Sequence, residues 1–193
     1  MENEIIKERF LGTIFGQAIG DALGLSTEFM SKQEVDRFYP NGIEDYSQIV
    51  QDDHRRRWQR GDWTDDTDMM LCILDSFVAC QKVDILDIAR RFKEWMMNGG
   101  MGIGRHTYCL DDEKSMGYTL RTLGAALWAY WHATSYKEGI LKIVLSGGDA
   151  DTNAAVAILG AKFGIDQIPE EWKDGLLYAS MLHNKVQNLY SMV

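Results

Sequence analysis

With 193 residues the chain has room for one domain, and 46% hydrophobic residues can fill a core. A net charge of −9 excludes a sequence-independent nucleic-acid binder, which needs a basic face, but not a nucleotide held by metal and backbone N–H groups. Three cysteines (Cys72, Cys80 and Cys109) without a C-x-x-C pair, an acidic N-terminus without a signal-peptide pattern and no apolar run long enough for a bilayer predict a cytoplasmic protein without disulfides, thiolate zinc or membrane contact.

Residues 5–24 carry an apolar stripe through Ile6, Phe10, Ile14, Ala18 and Ala22, with Gly12, Gly16 and Gly20 in the same stretch. Glycine inside a helix costs about 1 kcal/mol against alanine, so such a run marks close helix packing. Residues 31–62 are polar and turn-rich and read as a long loop with one short helix. Residues 68–81 are apolar on nearly every side and predict a buried helix. Asp84 then caps a helix whose Ile85, Ile88, Ala89, Phe92, Trp95 and Met96 fall at helical spacing, ending at Asn98-Gly99-Gly100. Residues 99–108 form a glycine-rich loop, and 117–132 predict another helix. Ser135 to Glu138 is a capping box opening a helix that stops at Gly147-Gly148. Residues 152–163 predict a central Ala/Gly-rich helix, and 169–190 one last helix behind Pro169. No alternating strand pattern appears, so the expected fold is all-α.

Two acidic clusters dominate the chain: Trp63-Thr64-Asp65-Asp66-Thr67-Asp68 and Gly147-Gly148-Asp149-Ala150-Asp151-Thr152. Each opens a predicted apolar helix, so each has an ordinary capping reading. One cap needs one such residue, however, and adjacent carboxylates repel unless a cation compensates them. Oxygen donors without Cys or clustered His suit a hard ion such as Mg²⁺ or Mn²⁺. A third piece, Gly20-Asp21-Ala22-Leu23-Gly24 followed by Glu28, reads by itself as a tightly packed helix end with a solvated glutamate. His54-Arg55-Arg56-Arg57 fits phosphate contacts or, more commonly for a short charge run in a polar loop, solvated surface. His132 and His183 read as helix-surface or core residues, and Trp95, Trp128 and Trp131 as core.

Together the three pieces resemble the ADP-ribosylglycohydrolase family, whose members carry a G-D-A-x-G-x-x-x-E element, a T-D-D-T motif and a G-G-D-x-D-T motif in this order. The segment from Gly117-Tyr118-Thr119-Leu120 to Ala125-Ala126-Leu127-Trp128-Ala129 is similar to the helix before the family's last motif. The resemblance implies a compact all-α domain with two Mg²⁺ or Mn²⁺ ions. It makes Thr64, Asp65, Asp66, Asp149, Asp151 and Thr152 the metal ligands and places Glu28 beside the scissile bond. Glu28 or a cluster aspartate such as Asp65 or Asp151 would then act in proton transfer. The loop through Gly100, Gly102 and Gly104 resembles the one that wraps the diphosphate of ADP-ribose, with His106 beside it as a further ligand contact. Its alternative reading is a simple helix stop.

Family members are longer. The helices they carry between the glycine loop and the Gly117 helix, including an N-G-A-x-M-R segment that contributes to ADP-ribose binding, are missing here between about 108 and 117. The expectation is therefore one shortened domain over 1–193. It would hydrolyse the bond between ADP-ribose and a protein side chain or small molecule, or bind such a nucleotide without turnover. Apolar faces left uncovered by the missing helices predict a homodimer.

Overall fold

The computed structural model describes residues 2–101, 126–146 and 151–191, with side chains for all of these except residues 2 and 151–154. Among the described residues every regular element is helical, as expected. The elements are α1 (Glu2–Gly24), α2 (Lys32–Phe38), α3 (Asp65–Cys80), α4 (Ile85–Met97), α5 (Tyr136–Val144), α6 (Asp151–Phe163), α7 (Glu170–Gly175) and α8 (Ala179–Tyr190). Residues 126–132 are also helical, and three short 3₁₀ turns lie at Tyr46–Gln48, Arg55–Arg57 and Ile165–Gln167. None of the helices is long and apolar enough to cross a membrane among the described residues.

Helix α1 is the spine, packing against α3, α5, α6, α7 and α8. The expected stripe covers only half of its buried surface: Leu11, Phe15, Ile19 and Leu23 form a second ridge, four residues apart, while Ile6 is exposed. A helix contacted on several sides buries more than one stripe. The predicted reason for its glycines holds at the α6 crossing, where a Cβ on Gly160 would run into the carbonyl of Gly12 and one on Gly12 into that of Gly160. Helix α6 is central as expected, with Ala155, Val156 and Leu159 fully buried.

Three expectations change. The last predicted helix is broken, because Leu177 N–H leaves the helical ladder and donates to the Gly61 carbonyl at 2.8 Å, while Gly175 packs on the Tyr46 ring. Helix α3 is not buried all round: Thr67, Leu71 and Ser76 are buried, while Ile73 and Phe77 face solvent. The capping box at Ser135 is displaced by one residue. The Ser135 hydroxyl accepts the Glu138 N–H at 3.1 Å, but the Glu138 carboxylate takes the N–H and hydroxyl of Thr134 rather than the N–H of Ser135. Asp84 caps α4 as predicted, its carboxylate accepting Asp87 N–H at 3.1 Å, yet no residue of α4 is buried.

Candidate active site

The C-terminal end of α1 organises the site. Asp21 sits in its last turn, 5% exposed, and its carboxylate accepts four hydrogen bonds from the start of α3. Oδ1 takes the Thr64 hydroxyl at 2.6 Å; Oδ2 takes the Thr64 N–H at 3.0 Å, the Thr67 N–H at 3.1 Å and the Thr67 hydroxyl at 2.7 Å. Thr64 occupies the cap position of α3 without capping it through its own side chain. The cap is a carboxylate from another helix, placed where the first N–H groups lack partners and the helix dipole is positive. Burial pushes the Asp21 carboxyl above its ordinary range, and the bonds from Thr64 and Thr67 pull the other way.

Thr64 therefore does not cap α3 through its own hydroxyl, which is donated to Asp21. A hydroxyl that donates its proton to Asp21 keeps its oxygen lone pairs for a cation. Thr64, Asp65 and Asp66 stand together at the first turn of α3, an oxygen-only donor set that fits Mg²⁺ or Mn²⁺. The other expected ligands lie outside what the structure describes: Asp149 wholly, Asp151 and Thr152 in their side chains. Among the described residues no three His, Cys, Asp or Glu side chains form a metal cage.

Glu28 lies in the turn after α1, its N–H donating to the Gly24 carbonyl at 3.1 Å. It is not the solvated residue of the plain reading. His54 Nε2 is 2.6 Å from its Oε2, and both side chains are largely buried. The next residue, Phe29, has φ +60° with its ring in solvent, a left-handed backbone that costs a bulky residue about 1–3 kcal/mol. Arg55, 3% exposed, holds this turn: Nε donates to the Ser26 carbonyl at 2.9 Å, one terminal nitrogen to the Glu28 carbonyl, and the other pairs with Asp52. The surface reading of the 54–57 run therefore fails at its centre. Arg56 remains exposed and pairs with Asp53, whereas Arg57 donates to His54 Nδ1 and lies 4.5 Å over the Trp58 ring.

Trp58 leads into a cavity of about 380 Å³, lined also by Asp62, Trp63, Thr64, Asp68, Trp95 and Tyr178. Asp68 is its polar pillar, accepting the indole N–H of Trp63 at 2.9 Å and that of Trp95 at 2.8 Å. Burial raises the Asp62 carboxyl, opposed by the Trp63 N–H and reinforced by the negative charges of Asp68 and Asp21. The core reading of the tryptophans is overturned. Trp95 is a wall of this cavity, while Trp128 and Trp131 are exposed. His132 stacks on Trp128 and His183 meets Phe15 edge-on, in keeping with a surface reading.

Gly100 also lines the cavity. A Cβ there would meet the Trp95 ring at 2.6 Å, and Gly99 with φ +94° ends α4. The helix-stop reading thus holds for the start of the glycine loop, and Gly102, Gly104 and His106 lie outside the described residues. Reading the sequence placed Asp21 and Asp68 inside motifs without roles of their own and gave His54 only a share in the phosphate or surface reading of its run. The signal for Asp21 was present: an acid between small apolar residues inside a helix needs buried donors.

The family model for ADP-ribosylglycohydrolase matches residues 2–112 and 105–193. An ADP-ribosyl-[dinitrogen reductase] glycohydrolase of Rhodospirillum rubrum is 29% identical over 95% of this chain and 54% of its own length. An ADP-ribosylarginine hydrolase Tri1 of Serratia proteamaculans is 37% identical over 42% of this chain and 23% of its own. The chain thus spans about half the length, or less, of these relatives. A solved chain from an ADP-ribosylglycohydrolase-related protein complex superposes with a TM-score of 0.71 at 20% identity, covering 96% of this chain and 98% of that one. This likeness shows the fold.

Proposed function

The chain belongs to the ADP-ribosylglycohydrolase family, and from that premise we propose that it hydrolyses the glycosidic bond between ADP-ribose and an arginine side chain, with two Mg²⁺ or Mn²⁺ ions. The observation that carries the reading is the cavity beside Thr64. Three indole rings and the carboxylates of Asp62 and Asp68 suit a planar cation such as guanidinium, through ring faces and opposite charge. The relatives' activities on ADP-ribosylarginine and ADP-ribosylated dinitrogen reductase support the same class.

Thr64, Asp65 and Asp66, with Asp149, Asp151 and Thr152, would hold the ions. Bound there, the ions would stabilise developing charge and make a water acidic enough to attack at neutral pH. Asp21 orients the Thr64 hydroxyl for that task. Glu28, fixed by Arg55 and His54, exchanges a proton with the water or the departing group. Asp62 and Asp68 accept the guanidinium as the leaving group, and the rings of Trp58, Trp63 and Trp95 exclude water around it. Gly100, Gly102, Gly104 and His106 would receive the diphosphate, as glycines let backbone N–H groups approach phosphate oxygens.

A second reading, a binder of ADP-ribose without turnover, is favoured by the chain's short span against its relatives. The domain over 1–193 would then lack the wall that the family's middle helices supply. We also propose a homodimer, because Val83, just before α4, and Ile85, Leu86 and Met97 on it leave apolar surface open. A cytoplasmic location is supported by the free thiols of Cys72 and Cys80. The deciding experiment is release of ADP-ribose from an ADP-ribosylated arginine peptide with Mn²⁺ and with chelator, beside calorimetry with ADP-ribose. Metal-dependent release is expected. Binding without release selects the second reading, and the absence of both binding and release overturns both readings.

A further inference from the structure

We propose that His54 is a positioning residue for Glu28, holding one carboxylate oxygen through an imidazole protonated on Nε2 alone. The inference rests on the reading above that Glu28 exchanges a proton during the reaction. A guanidinium has only donors. Arg57 meets Nδ1 of His54, so Nδ1 must accept. The ring proton then sits on Nε2 and is donated to Glu28 Oε2 across 2.6 Å, a hydrogen bond of the strong, charge-assisted kind. Oε1 of Glu28 has no hydrogen-bond partner among the described residues. It is the oxygen left to exchange a proton, while Oε2 is held.

The imidazole is itself fixed. Its ring lies 5.1 Å from that of Phe29 and 5.4 Å, edge-on, from that of Trp58. Phe29 carries the left-handed backbone next to Glu28, and the buried Arg55 ties down the carbonyls of Ser26 and Glu28. Arg55 therefore fixes the main chain of this turn and His54 fixes the side chain. A strained turn held from two sides is costly to keep unless a specific orientation is needed. The same contacts answer the phosphate reading of the 54–57 run, because Arg55 and Arg57 are already engaged inside the protein.

The test has two arms. ¹⁵N NMR of the imidazole in the metal-free wild-type chain should show a proton on Nε2 and none on Nδ1; a proton on Nδ1 overturns the proposal. In the Mn²⁺-loaded chain acting on an ADP-ribosylated arginine peptide, His54→Leu should lower kcat about tenfold or more, as loss of an orienting partner does. KM should stay within about twofold, the pattern of an interaction made in the transition state. His54→Gln, whose amide can donate to Glu28 and accept from Arg57, should keep kcat within about threefold. A Gln variant as slow as Leu would make the ring a proton carrier, and a rise in KM alone would make it a ligand contact; either overturns the proposal. Should the Leu variant not fold, His54→Asn, too short to reach Glu28, takes its place with the same expected loss. Turnover unchanged by these substitutions overturns this proposal alone. No wild-type turnover, with the Nε2 proton present, overturns the functional reading and this proposal with it.

Discussion

Helix α1 serves two interiors of opposite character. Where it crosses α6, the interface is apolar and closed, with Gly12 against Gly160 and Ala18, Ile19 and Val156 fully buried. Where it meets α3, the interface is polar, with Asp21 holding four hydrogen bonds and a half-open cavity beyond. The first is stabilised by area removed from water, about 25 cal/mol per Å². The second is specified by direction: each donor of Thr64 and Thr67 has one acceptor. Stability should therefore be concentrated on the α6 side and ligand response on the α3 side.

The largest effect should come from the closed interior. Ile19, fully buried in α1, should cost about 2–5 kcal/mol on replacement by alanine. Denaturant unfolding measures it, and a loss below about 1 kcal/mol would break the assignment of stability to this side.

Asp21→Asn sharpens the contrast. The amide brings donors where Thr64 and Thr67 already donate, so a loss of about 2 kcal/mol is expected. The stabilisation of the wild type by Mn²⁺, read as a shift in Tm, should disappear with it. A variant that keeps the metal response would show that the Thr64 orientation is irrelevant to the ions.

Trp95→Phe keeps a ring in the cavity and removes only the donor to Asp68. About 1 kcal/mol of stability should be lost, while binding of an ADP-ribosylated arginine peptide weakens measurably. Unchanged peptide affinity by calorimetry would detach the cavity from ligand recognition.

The smallest effect lies away from both interiors. Lys142 and then Thr134 hold the half-buried Glu138 carboxyl down to about 2. A depressed carboxyl contributes stability above its unfolded range and loses it as pH falls through the folded value. The Tm of wild type should therefore exceed that of Glu138→Gln at pH 7, with the gap closing as pH falls from the ordinary glutamate range toward 2. A gap that persists at pH 2 would mean that the charge is not its source.

Helix identity was legible because periodicity, caps and glycine stops are local. Asp84 caps α4 and Gly99 ends it, as their positions in the chain required. The glycines of α1 announced a close crossing, although not that α6 would supply it. The family resemblance rested on three short motifs, and the match of the family model over both stretches of the chain agrees with it. The misread residues share a different physics. Asp21, Arg55 and Trp95 are polar or amphipathic groups whose partners lie 27 to 46 residues away, at Thr64 and Thr67, at Ser26 and Glu28, and at Asp68.

The sequence by itself determined where most of the described helices lie, the acidic motifs and the family, because each follows from residues close together in the chain. Only the tertiary structure decided that Asp21 caps α3, that Arg55 is buried beneath Glu28 and that the tryptophans wall a cavity. Burial turns a hydrogen-bonding group from an ornament of the surface into an obligation, and which distant group meets that obligation depends on how the helices cross.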